Sequence, residues 1–167
     1  FARARGRVIY NIEDPDYTLL SENAGIDSET ELDGTQAAAQ SDGRSPRALL
    51  ATTFSDELSS YTAGKAKVFG VSVKDRGAIS MAGHAGTAYW FSKPSAQFVS
   101  SSYYLERYPD WVVAHNATAP AQAFAGQRWS LQQPQGTYRY GDSDDRPWET
   151  AVGAFGRVFP HDYGDGT

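Results

Sequence analysis

With 167 residues, of which 40% are hydrophobic, the chain is long enough to bury one ordinary core, and its length predicts a single domain over residues 1–167. Its formal net charge of −5 excludes a general nucleic-acid binder, because such a protein gains its affinity from many Lys and Arg contacts to phosphates. Cysteine is absent, which excludes disulfide frameworks and thiolate metal sites, and no run approaches the roughly 18 apolar residues of a membrane-spanning helix.

The first predicted elements are extended. Residues 6–20 contain a β-branched and aromatic run that is interrupted at Asp14 and Pro15, which predicts a hairpin made of a strand, a turn and a second extended piece. Residues 21–43 are polar and acidic with little periodicity, and they predict a long surface loop.

A helix is predicted next, over residues 45–64. Ser45 suits the N-cap, Pro46 fits the first helical position, and Gly64 is a suitable stop. Apolar residues recur between them at helical spacing: Leu50, Phe54, Leu58 and Tyr61.

The middle of the chain predicts an α/β core. Residues 67–73 (KVFGVSV) are typical of a buried strand, in which Gly70 indicates close packing, and residues 77–86 predict a short helix that ends near Gly83. Residues 87–101 predict a hairpin turning at residues 93–95, and a further helix begins near Pro109. The fold class predicted is therefore α/β, with β-hairpins and long loops around a small core.

The last third of the chain is less regular. Residues 117–126 predict a second helical piece, residues 128–134 a strand, and residues 141–150 (GDSDDRPWET) a loop.

The most informative motif is VSVKDRGA at residues 71–78, in which two cations flank an acid directly after the predicted strand. Ligands of α/β sheets bind beyond the carboxyl ends of strands, so Lys74 and Arg76 fall where a site is expected. Lys offers a compact charge and Arg a planar fork for two oxygens, a combination that suits a phosphate group, and Asp75 could hold one of the two cations in place. Taken alone, the three residues fit a solvated strand end better than a binding site.

Other polar and aromatic residues have simpler interpretations. His84 is interpreted as a hydrogen-bonded structural histidine and the segment around His161 as a turn, because the three histidines are too scattered to predict a metal site. Core packing is the expected role of the aromatic residues, with a substrate pocket as the alternative; they are Tyr89, Trp90, Phe91, Tyr103, Tyr104 and Trp111.

A set of ordered motifs resembles the middle portion of bacterial alkaline phosphatases in the nucleotide pyrophosphatase and phosphodiesterase branch of that superfamily. The motifs are EDPDYTLL, GRSPRALLATTFSDEL, KVFGVSVKDRGAISMAGHAGTAYWF, FVSSSYY, YPDWVVAHN and FPHDY, and they run from about residue 7 to residue 163. The numbering begins at Phe1 without a leader, so we expect an internal segment of a longer polypeptide.

The resemblance implies that this chain carries only some of the functional residues of the parent enzyme. Lys74 and Arg76 would bind the phosphoryl group of a phosphate ester, whereas the nucleophile and the ligands of two zinc ions would lie outside this segment. It also implies a periplasmic or secreted phosphomonoesterase as the parent protein, with the segment alone inactive.

Two alternatives stay open. The parent could instead be a phosphodiesterase or nucleotide pyrophosphatase, or the chain could be a non-catalytic carbohydrate-binding module. In the second case aromatic side chains would serve as stacking platforms; the candidates are Trp90, Trp111, Trp129 and Trp148.

Overall fold

The structure, a computed structural model, describes residues 6, 9–20, 39, 41–93, 95–151 and 155–164. It divides into two compact units, Phe1–Thr118 and Ala119–Thr167. The first unit contains helices α1 (Phe54–Tyr61), α2 (Asp75–Ala82) and α3 (Asp110–Ala117), and strands β1 (Phe69–Ser72), β2 (Thr87–Ser92) and β3 (Gln97–Val99). The second contains strands β4 (Arg128–Trp129) and β5 (His161–Asp162), and the 3₁₀ helices Gln122–Phe124 and Gln135–Thr137.

The core of the first unit is a β1–α2–β2 crossover. Strands β1 and β2 pair in parallel, with Phe69 opposite Thr87 and Ser72 opposite Trp90, and α2 connects them. The α2 face that meets the sheet carries Ala78, Ile79 and Ala82, which are fully buried. A Cβ atom on Gly70 would lie 2.2 Å from the carbonyl oxygen of Ala78, so helix and strand pack at a distance that only glycine permits. The predicted α/β class and the close packing at Gly70 are confirmed.

The hairpin predicted over residues 87–101 is also confirmed. Strand β3 pairs antiparallel with β2, with Trp90 opposite Val99. The predicted helix near Pro109 is α3, for which Pro109 is the N-cap residue. In α3, the Asn116 side chain accepts a hydrogen bond from Phe98 N and donates one to Phe98 O, both at 2.9 Å, and so fastens the helix to β3.

The predicted helix at residues 45–64 is wrong in its first half. Helix α1 begins only at Phe54, because Thr53 and Asp56 form a capping box there. Ser45 instead donates a hydrogen bond to Asp14 Oδ2 at 2.6 Å, and the chain after Pro46 makes a single turn. Helix α1 ends at Tyr61, three residues before the predicted stop at Gly64, which has a positive φ of 76°.

The predicted N-terminal hairpin is wrong within the described residues 6 and 9–20. Its turn is present, since Tyr17 N donates to Asp14 O at 3.2 Å. However, its extended residues pair with remote segments, in single antiparallel bridges from Glu13 to Arg44 and from Leu19 to Ser101. The loop predicted at residues 21–43 falls mostly outside the described residues.

The prediction that β1 is a buried strand holds for one face only. Gly70 faces α2 and is buried, whereas Phe69, Val71 and Val73 are 54%, 62% and 64% exposed. An apolar run alone does not distinguish a strand covered on both faces from one covered on a single face.

The second unit is sparse in regular structure. Strands β4 and β5 form an antiparallel pair, with Trp129 opposite His161. The predicted strand at residues 128–134 is therefore confirmed over its first two residues, and the predicted second helix appears as one 3₁₀ turn. Residues 141–150 form the predicted loop. Within the residues described, no helix combines the length and the apolar character needed to cross a membrane.

Candidate functional site

Lys74 and Arg76 lie at the junction of β1 and α2, where the sequence predicts them. Lys74 is the N-cap residue of α2, with extended backbone angles, and Arg76 is in the first helical turn. Both therefore sit beyond the carboxyl end of β1, at the end of α2 where free amide groups and the helix dipole favour an anion.

Both cations are available to an anion. Lys74 is half-buried and Arg76 is exposed. Among the residues described, neither side chain forms an ion pair with a carboxylate. Their charges are thus not neutralised by neighbouring acids in this part of the chain.

Asp75, between the two cations, points into the protein. It is 1% exposed, and its Oδ2 atom accepts a hydrogen bond from Arg44 Nε at 2.9 Å in a buried ion pair. Its Oδ1 atom accepts from the Tyr10 hydroxyl at 2.8 Å and from the Arg76 backbone amide at 2.7 Å. Asp75 therefore holds Arg76 by its backbone, while its buried ion pair is made with a residue 31 positions away.

Tyr10 and Arg44 are the residues that the sequence analysis missed. Arg44 is 2% exposed, its Nη1 atom donates to Ser41 O at 2.7 Å, and its guanidinium group lies 5.3 Å from the centre of the Tyr10 ring. Burial, followed by the hydrogen bond to Asp75, raises the pKa of Tyr10 to about 12, against the opposing effect of the nearby Arg76 side chain. Lys74, Asp75 and Arg76 together form the KDR motif. Nothing in the spacing of Tyr10 and Arg44 along the sequence relates them to this motif.

His84 is a hydrogen-bonded structural residue, as interpreted from the sequence. Its Nδ1 atom lies 3.0 Å from Asp56 Oδ2 and its Nε2 atom 3.1 Å from Leu49 O, while its backbone amide donates to Asp56 Oδ1 at 2.7 Å. Burial is the largest influence on Asp56 and raises its pKa, but the hydrogen bonds from His84, Thr53 and Ala85 outweigh burial and hold the pKa well below its usual range.

The residues described do not build a metal centre. No group of three or more His, Asp or Glu side chains in that part of the chain converges closely enough to hold an ion. The Nδ1 atom of His161 lies 2.8 Å from Phe155 O, and its ring packs against Phe159 at 4.4 Å.

An apolar cavity of about 360 Å³ lies on the first unit, and its lining includes neither Lys74 nor Arg76. Tyr89 and Trp111 from the aromatic set line it, together with Val71, Phe98, Val112 and His115. Trp90, in contrast, is 5% exposed and belongs to the main core, so this tryptophan is no stacking platform.

The sequence of this chain is similar to parts of known bacterial proteins. No family model matches the chain. It is 36% identical over 160 residues to the alkaline phosphatase PhoV of Synechococcus elongatus, covering 93% of this chain and 26% of PhoV. It is 39% identical over 112 residues to the alkaline phosphatase PafA of Elizabethkingia meningoseptica, covering 66% of this chain and 20% of PafA. A calcium-transporting ATPase of Myroides odoratus is 36% identical over 121 residues, with 71% of this chain and 22% of that protein covered.

Two solved structures of the alkaline phosphatase PafA are also similar to this chain. Wild-type PafA matches with a TM-score of 0.73 and 31% identity, over 95% of this chain and 28% of PafA. A PafA variant substituted at a Thr, an Asn, a Lys and an Arg matches with a TM-score of 0.76 and 29% identity, over 96% of this chain and 29% of the variant. The chain thus spans about a quarter of the length of these relatives. Sequence and fold together identify residues 1–167 as an alkaline-phosphatase-like segment.

Proposed function

We propose that Lys74 and Arg76 bind the phosphoryl oxygens of a phosphate monoester in a metal-dependent alkaline phosphatase of which this chain is a segment. The observation that carries the proposal is the pair of cations at the N-terminal end of α2, whose charges no carboxylate among the described residues neutralises. In the substituted PafA variant, the Lys and the Arg are likewise two positions apart, which supports the assignment of this pair.

The charge of the pair favours a monoester over a diester. A monoester dianion carries one more negative charge than a diester, so it gains more from a second cation in the site. The Lys74 ammonium group supplies a compact charge, and the Arg76 guanidinium group supplies two parallel donors that match two phosphoryl oxygens.

Other parts of the reaction are assigned outside this segment. We place the nucleophile and two zinc ions, which would activate it and stabilise the leaving group, on residues beyond 1–167, because the described residues do not fit a metal site. The role of this chain is then to bind and orient the phosphate, and the segment alone is expected to be inactive. A periplasmic or secreted location of the parent is part of the same proposal.

The proposal is tested by replacing both cations in the full-length parent. Lys74→Ala with Arg76→Ala should lower kcat/KM for a monoester by about 10² to 10⁴, since each charge-assisted hydrogen bond contributes about 1.5–3 kcal/mol. The diesterase rate should fall much less. The matched control is Lys65→Ala with Lys67→Ala, which removes the same charge at the same spacing from two exposed positions outside the site.

Equal losses on both substrate types would contradict the assignment and would favour the alternative, a phosphodiesterase in which the pair has another role. Glycan binding by the segment, unaffected by inorganic phosphate, would favour a carbohydrate-binding module. Trp90 is buried in the core and could not serve such a module, whereas Trp111, Trp129 and Trp148 are 57%, 53% and 75% exposed.

A further inference from the structure

We propose that Tyr10 is a positioning residue for Arg76, and that the buried cluster of Tyr10, Asp75 and Arg44 holds Arg76 in place from inside the protein. The inference rests on the proposed function, which it deepens by assigning a residue more than sixty positions away from the KDR motif to the same site.

The cluster fixes the first turn of α2 at one atom. Asp75 Oδ1 accepts from both the Tyr10 hydroxyl, at 2.8 Å, and the Arg76 amide, at 2.7 Å. The position of that carboxylate oxygen therefore determines where the helix begins, and Lys74 and Arg76 lie on either side of Asp75. A displaced carboxylate would move Arg76, whose backbone amide it holds.

The buried polar groups of the cluster have hydrogen-bond partners that hold the cluster rigid. Tyr10, Arg44 and Asp75 are 8%, 2% and 1% exposed, and Arg44 Nη1 donates to two backbone carbonyls, Ser41 O at 2.7 Å and Gly43 O at 2.9 Å. Buried ion pairs often add little stability over apolar packing of the same volume, and in some proteins they specify one geometry instead. A geometric role explains why charged groups occupy this position.

Tyr10 additionally reaches the side chain of Arg76. The Arg76 side chain lowers the pKa of the Tyr10 hydroxyl, which donates to Asp75. The guanidinium group of Arg76 therefore lies near the hydroxyl that holds the buried carboxylate. Because burial and Asp75 raise the pKa of Tyr10 to about 12, the phenol stays neutral in mildly alkaline solution, and it adds no negative charge that would repel a phosphate dianion.

The test is a double-mutant cycle in the full-length parent. Tyr10→Phe removes the hydroxyl and keeps the ring, and it should lower monoester kcat/KM and weaken inhibition by inorganic phosphate by the same factor, roughly threefold to tenfold, as expected for one ordinary hydrogen bond. In the Arg76→Ala background, Tyr10→Phe should have no further effect, because the group it positions is gone. Tyr104→Phe is the control, since it removes another largely buried hydroxyl, which donates to Gly83 O at 3.2 Å, at the far end of α2.

The outcomes separate this inference from the proposed function. If Arg76→Ala lowers monoesterase activity and Tyr10→Phe does not, or if the two effects multiply in the double variant, the positioning role is overturned while phosphate binding by Arg76 stands. If Arg76→Ala changes nothing, both proposals are overturned.

A second measurement covers the case in which Tyr10→Phe loses activity by unfolding. Added guanidinium ion should partly restore the monoesterase activity of Arg76→Ala, and it should restore it less when Phe replaces Tyr10, because the phenol would no longer orient the ion. Equal rescue of both variants, measured on the folded fraction, would overturn the positioning role.

Discussion

The carboxylate of Asp56 accepts hydrogen bonds from the backbone amides of three residues, Thr53, His84 and Ala85. It caps α1 through Thr53, whose backbone amide donates at 2.8 Å, and it binds the turn after α2 through the amides of His84 and Ala85, at 2.7 and 2.9 Å. Gly83 begins that turn with a φ of 67°, and a side chain there would collide with Thr53 and Asp56. One carboxylate therefore joins the start of α1 to the end of α2.

Asp56→Asn should lower the free energy of unfolding by about 2–4 kcal/mol at pH 7, because an amide group turns one acceptor atom into a donor that faces other donors. Urea unfolding at pH 7 measures the loss, with Glu57→Gln as the control, since Glu57 is the exposed acid next to Asp56 in the same helical turn. A loss no larger than that of the control would contradict the joining role.

The difference in unfolding free energy between the wild type and Asp56→Asn should also depend on pH. The folded protein holds the pKa of Asp56 below its unfolded value of about 3.9, so the stabilisation is present above that pH and is lost as pH falls through the depressed folded pKa. The difference in stability between the wild type and Asp56→Asn should therefore be constant from pH 7 to about pH 5 and should shrink below about pH 4. A difference that grows in acid would contradict the assignment.

At the scale of the element, the placement of the site depends on how closely α2 packs on β1. Gly70→Ala would bring a Cβ atom to 2.2 Å from Ala78 O and 2.8 Å from Ala82 N, both backbone atoms that cannot rotate away. We expect a loss of about 1–3 kcal/mol in unfolding free energy, as for overpacked cores, and a lower monoesterase rate in the full-length parent because the start of α2 shifts. Gly136→Ala is the control, since nothing lies within 4 Å of its added atom.

Elements with a strong local signal were predictable from the sequence. Helix α2, the β2–β3 hairpin and helix α3 each carry their start and stop within a few residues. The start of α1 was missed because Ser45 and Pro46 imitate a helix start, whereas the true signal is the spacing of Thr53 and Asp56, an Asp variant of the capping box. The N-terminal hairpin failed for the opposite reason, because the partners of Glu13 and Leu19 lie in remote segments.

The same difference between local signals and remote partners applies to the candidate site. The position of Lys74 and Arg76 at the junction of a strand and a helix was predictable, because the signals for both elements lie within eight consecutive residues. Tyr10 and Arg44 reach Asp75 across 65 and 31 positions, so only the tertiary structure brings them to the KDR motif. The available hint was the acid between two cations, which the sequence analysis interpreted only as a group that could hold one of them in place.

At the scale of the molecule, tyrosines of the first unit make its stability sensitive to strongly alkaline pH. Burial is the first cause that raises the pKa of each of them, and for Tyr10 the pKa rises to about 12; the others are Tyr89, Tyr103 and Tyr104. A raised pKa means that the folded state holds these protons more tightly than the unfolded state does. Their contribution is therefore complete below the unfolded value of about 10 and is lost as pH rises through the folded values.

We accordingly expect the unfolding free energy to be nearly constant from pH 8 to about pH 10, as far as these phenols determine it, and to fall steeply toward pH 12. Urea unfolding across that range measures the fall, and absorbance near 295 nm follows phenolate formation in the folded and the urea-unfolded protein. The folded curve should lag behind the unfolded one, and Tyr10→Phe should reduce the lag because it removes one of the delayed protons. Coincident curves would mean that these phenols are solvated, and a solvated Tyr10 could hold neither Asp75 nor Arg76 in place.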